Sequence, residues 1–85
     1  MKLIYLEWAD AISSGATWHT KSELNEWIEG SEWIIKQVGW LLKETDRYIL
    51  IAAQLKPDDR FTQEQYGHLQ KIPKTWIRKR KVIKL

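Results

Sequence analysis

Trp76 is followed by Arg78-Lys79-Arg80-Lys81 and preceded by Lys71 and Lys74, which puts one large ring and six cations within eleven residues. Aromatic faces stack bases, and Arg and Lys hold phosphate oxygens through charge-assisted hydrogen bonds, so this pairing is what a nucleotide or a nucleic-acid strand requires. Tyr66, at the head of the preceding segment, offers a second ring. If the stretch is extended, alternation puts Trp76, Arg78 and Arg80 on one face and Lys79 and Lys81 on the other. The expected ligand-binding set is therefore Trp76, Arg78, Arg80 and Lys74, with Lys71 and Tyr66 beside them. Trp18-His19, in a connection ahead of a helix cap, is expected either to act as a flap or to staple against the helix. The competing reading of the whole stretch is a solvated basic tail.

Other chemistries lack their residues. There is no cysteine, so neither a disulfide framework nor a thiolate site is available. His19 and His68 are far apart in sequence and neither has a ligand at helical or hairpin spacing, so no metal site is expected. No nucleophile elbow, phosphate loop or paired-carboxylate spacing occurs. Asp58-Asp59 follows Pro57 and reads as turn chemistry, not as an acid/base pair. A binding protein without cofactor is expected, not an enzyme.

Charge is divided along the chain. Residues 1–46 hold four basic and eight acidic residues, a balance of −4, and residues 47–85 hold ten and three, a balance of +7, which sum to the net +3. From Lys71 onward there are seven basic residues and no acid, a field suited to phosphate or carboxylate. The longest apolar run, Tyr48 to Ala53, is far shorter than the ~20 residues of a membrane span. With no apolar leader after Lys2, the expected setting is the cytosol.

The elements that must position these residues are short strands. Lys2 to Trp8 reads as an opening strand that Ser13-Ser14-Gly15 breaks. Thr20-Lys21-Ser22-Glu23 is a capping box, and Leu24, Trp27 and Ile28 share one helical face. A short helix over residues 21–29 is expected, packed on a sheet and ended by Gly30 in a left-handed conformation. Trp33 to Lys43 and Arg47 to Leu55 read as an antiparallel hairpin around Glu44-Thr45-Asp46. Tyr48 to Ala53 is apolar at every position, which implies burial on both faces, and Gly39 marks a bend or a close approach. Lys56 to about Gln65 is a polar loop, Tyr66 to Ile72 a strand, Pro73 to Trp76 a tight turn and Ile77 to Leu85 a last strand. Residues 1–85 are expected to form one domain. Such a small domain leans on large side chains, so most of the six Trp, three Tyr and one Phe, Trp40 included, are expected in the core.

The closing pattern, a glycine-led strand and an Ile-Pro-x-x-aromatic-Ile turn before a short strand, resembles the end of a Src-homology-3-like barrel. The resemblance implies a mainly β fold, a five-stranded antiparallel barrel with one inserted helix, in which Pro73 and Trp76 lie outside and Ile77 plugs the core. A second resemblance spans most of the chain. Trp8-x-Asp10-Ala11, Trp18-x-Thr20, Val38-Gly39-Trp40-Leu41-Leu42-x-Glu44, Tyr48 to Ala52, and Gly67-x-Leu69-x-Lys71-Ile72-Pro73-Lys74 look like the ordered blocks of a family of small bacteriophage and prophage proteins. It implies a phage accessory protein in the cytoplasm of the bacterial host. Three functions then follow, in this order: sequestration of a small anionic nucleotide signal of host defence, nucleic-acid binding, and inhibition of a host protein. With so many Trp in so short a chain, a homo-oligomer, most simply a dimer, is expected.

Overall fold

Alternation organises the first strand. In β1 (Leu3–Asp10), Ile4, Leu6 and Trp8 are buried, while Leu3, Tyr5 and Glu7 between them are only half-buried. The computed structural model describes residues 1–11, 16, 18–30 and 33–85, so the break expected at Ser13-Ser14-Gly15 lies outside the described residues. After β1 come α1 (Lys21–Glu29), β2 (Trp33–Glu44), β3 (Tyr48–Lys56), β4 (Gln65–Pro73), a 3₁₀ turn at Lys74–Trp76, and β5 (Ile77–Ile83). The strands form one antiparallel sheet in the order β4-β3-β2-β1-β5, with the helix inserted between β1 and β2.

Two register shifts bend this sheet. One leaves Leu42 of β2 unopposed between Leu41↔Ile51 and Lys43↔Leu50, and the other leaves Arg78 of β5 unopposed between Trp8↔Ile77 and Glu7↔Lys79. An extra residue on one strand kinks it and increases its twist. The curled sheet brings Ile4, Leu6 and Trp8 into one cluster with Ile49 and Ile51 of β3 and Ile72 of β4, with Ile35, Leu41 and Ile77 packed against it. Gly39 lies opposite Ile4, where an added Cβ would stand 3.0 Å from the Ile51 Cδ1, so the core needs a close backbone approach there.

The mainly β, five-stranded antiparallel fold agrees with expectation, as does Ile77 against the core, whereas Pro73 is half-buried and Trp76, partly exposed, stacks on the core residue Trp8. The closed barrel does not: β4 and β5 remain the edges of the sheet and do not pair. Their residues explain it. Edge β5 carries Arg78-Lys79-Arg80-Lys81, and charge on an edge strand opposes further pairing. In β4 His68 has φ 53°, a left-handed residue inside a strand that turns the edge aside.

Side chains tie the curled sheet across its inner face instead. The Trp8 Nε1 donates to the Gln37 Oε1 at 3.0 Å, and the Gln37 Nε2 donates to the Gln70 Oε1, linking β1, β2 and β4. At the β2–β3 turn the Thr45 hydroxyl oxygen accepts from the Arg47 and Tyr48 amides, both at 3.1 Å, which explains the short connection. In the β3–β4 loop the Asp59 Oδ1 accepts from the Phe61 and Thr62 amides at 2.8 Å, the turn role expected of Asp58-Asp59.

Four expectations about packing are corrected. The Thr20 cap forms, its hydroxyl oxygen accepting from the Glu23 amide at 3.3 Å, but α1 does not pack on the sheet: none of its residues is buried and Ile28 is 71 % exposed. Gly30 is extended at φ −64° and ψ 156°, so it is not a left-handed terminator. Burial on both faces of β3 is incomplete: Ile49, Ile51 and Ala52 are buried, but Tyr48 and Leu50 only partly and Ala53 not at all. Of the six Trp only Trp8 is buried. Trp40 shares the outer face with Leu3, its register partner, because Gly39 takes the neighbouring inward position. The radius of gyration is 17.6 Å, against about 12 Å for a compact chain of this length, as a projecting arm requires.

Candidate nucleotide-binding face

Glu44 decides what two of the expected phosphate ligands do. Glu44 lies opposite Ile49 and Arg80 opposite Leu6, so both side chains leave the sheet on its inner side and meet at its rim. The Arg80 guanidinium binds the carboxylate through two hydrogen bonds, Nη1 to Oε2 at 2.9 Å and Nη2 to Oε1 at 2.8 Å. The Lys74 Nζ reaches the same Oε2 at 2.7 Å, and the Lys74 amide donates to the Arg47 carbonyl at 2.8 Å. The Arg80 and Lys74 hydrogen bonds hold the Glu44 carboxyl down at about 2. Arg80 and Lys74 thus fasten the 3₁₀ turn and β5 to the end of β2, and an incoming phosphate would have to displace Glu44.

The other expected residues are dispersed. Trp76 stacks on Trp8 with ring centroids 6.2 Å apart and planes 20° apart, covering the core while 39 % exposed. Arg78 donates to the Thr75 carbonyl at 2.7 Å, stitching its own turn. Lys71 lies over the Tyr48 ring, Nζ 4.6 Å from its centroid. Tyr66 stands five residues back along β4, about 17 Å away, where its hydroxyl donates to Glu64 at 2.5 Å and it borders a shallow hollow with Leu55 and Gly67. Trp18 is 99 % exposed, so it is no staple, and the His19 Nδ1 lies 3.3 Å from Glu23. The expected set does not converge on one ligand.

A different cationic face forms on the outside of β1 and β5. Lys79 pairs in register with Glu7 and Lys81 with Tyr5, so these lysines point outward with the Tyr5 ring. Tyr5, Lys79, Lys81, Val82, Ile83 and Lys84 line an open groove of about 650 Å³. Among the described residues, Lys79, Lys81 and Lys84 form no ion pair and no side-chain hydrogen bond. The Tyr5 hydroxyl donates to the Glu7 Oε2 at 2.6 Å, which raises the phenol pKa and fixes the ring. The arrangement provides a π face beside three available ammonium groups.

The bulge at Arg78 accounts for the difference between this face and the expected one. Counting by twos from inward Ile77 makes Lys79 and Lys81 inward and turns Arg78 and Arg80 outward. One unopposed residue reverses the row beyond it, sending Arg80 to Glu44 and the lysines outward. Sequence reasoning missed Tyr5 because its nearness to Lys81 depends on the β1–β5 register. No protein-family model, no curated protein and no solved structure matches the chain.

Proposed function

We propose that this chain acts by binding and not by catalysis, and that its ligand is a phosphate-bearing nucleotide held on the outer β1–β5 face. The supporting observation is the juxtaposition of Tyr5 with the three unpaired lysines Lys79, Lys81 and Lys84. In this reading Tyr5 stacks a base and the lysines take the phosphate oxygens. The resemblance to phage proteins supplies the setting: a phage accessory protein in the bacterial cytoplasm that withholds an anionic nucleotide signal from host defence. Calorimetric titration with adenosine triphosphate tests it. Binding should weaken about tenfold in Lys81→Ala and persist in Arg80→Ala once folding is confirmed. Loss of binding in Arg80→Ala alone would return the site to Trp76.

A second reading concerns partners of the arm. Trp18, Leu24, Ile28 and Trp33 are exposed by 99, 52, 71 and 63 %. A nine-residue helix is too short to persist on propensity alone and draws its stability from tertiary packing, yet no residue of α1 is buried among the described residues. We assign its cover to a second copy, whose own arm exposes the matching apolar residues, in a symmetric homodimer. A host protein seated on the same arm is the alternative outcome.

A further inference from the structure

We propose that the nucleotide held in the β1–β5 groove is one unit of a single-stranded polynucleotide running along β5, an inference that rests on that face being the phosphate-binding surface. Sites that retain small ligands enclose most of the ligand's surface. This groove is open, and among the described residues Tyr5 is the one ring that lines it, so a lone nucleotide would be stacked on one side and left in water on the other.

The lysines are spread out instead of converging. Along β5 Lys79 and Lys81 are about 7 Å apart, and Lys84, just past the strand's end at Ile83, lines the same groove at most about 10 Å further, a reach of up to some 17 Å in all. That length exceeds the phosphates of one nucleotide and suits successive phosphates of an extended chain. Because β5 is an edge of the sheet, no strand beyond it blocks a ligand that enters at one end and leaves at the other. Tyr5 faces the middle of this row, opposite Lys81, where it can take one unpaired base. Glu7, at the Lys79 end, is the acid of the row and is already engaged by the Tyr5 hydroxyl. A duplex would crowd phosphate against Glu7 while keeping its bases from the ring, so the single strand is the better fit.

Fluorescence anisotropy of a labelled oligothymidylate of about twelve nucleotides tests the proposal, with a duplex of equal length and thymidine triphosphate as competitors. Three neutralised phosphates predict a slope of log affinity against log salt of about −2, and Lys79→Ala or Lys81→Ala should each flatten it by about 0.7. Tyr5→Leu should weaken binding about tenfold and leave the slope unchanged. Circular dichroism of each variant confirms that the sheet is intact. If thymidine triphosphate competes as well as the oligonucleotide, the polynucleotide proposal fails and the nucleotide reading stands. If the duplex binds as tightly as the single strand, or Tyr5→Leu has no effect, single-strand recognition fails. If polyglutamate competes equally and Tyr5→Leu is neutral, the partner is an acidic protein and the proposal is overturned. If no nucleic acid or nucleotide binds, both readings fall together.

Discussion

At the scale of single residues, Glu44 shows how structure and function divide one set of cations. Arg80 and Lys74 have the chemistry of phosphate ligands, yet both are taken up by a carboxylate that joins three elements. The arrangement is pH-sensitive with a definite sign. A carboxylate with a lower pKa in the folded chain than in the unfolded one favours the fold above its unfolded value, near 4.5. That contribution is lost as pH falls toward about 2. The thermal midpoint of the wild-type chain should therefore drop more steeply between pH 4.5 and 2 than that of Glu44→Gln, as followed by circular dichroism. Parallel profiles would mean that the carboxylate does not hold the turn. The sequence showed the charges but not this pairing, because Glu44 and Arg80 are 36 residues apart and meet only once the sheet has curled.

At the scale of elements, the strand pattern was readable because alternation and turn chemistry agree locally. Ile4, Leu6 and Trp8 mark one face of β1, Thr45 closes the β2–β3 turn, and Pro73 opens the turn before β5. Two things were not readable. The bulge at Arg78 has no composition of its own and is defined only against β1, yet it sets which basic residues are available. The other is the position of α1: Leu24, Trp27 and Ile28 predict a helix with something to cover, and periodicity does not say whether that cover belongs to the same chain. A test follows from its isolation. At concentrations where the chain is monomeric, Thr20→Ala should remove a cap worth about 1 kcal/mol and speed amide exchange across residues 21–29. Exchange in β1 and β3 should not change. A matching loss of protection in the strands would show that the helix is coupled to the core.

For the whole molecule, the division of charge becomes spatial: an acidic, apolar arm at the β1–β2 connection and a basic edge at β5. Light scattering at tens of micromolar should report twice the 10.2 kDa mass of one chain, and Ile28→Glu should return it to the monomer. A wild-type monomer, or a dimer indifferent to Ile28→Glu, would remove the arm from the account. Function turns on where the ligand sits. Mapping amide chemical-shift changes on the labelled protein during titration with oligothymidylate locates it most directly. The largest changes are expected at Tyr5 and across residues 79–84, with residues 74–76 and Glu44 little affected. Changes centred on residues 74–78 and Trp18 would contradict it and restore the site expected from the sequence.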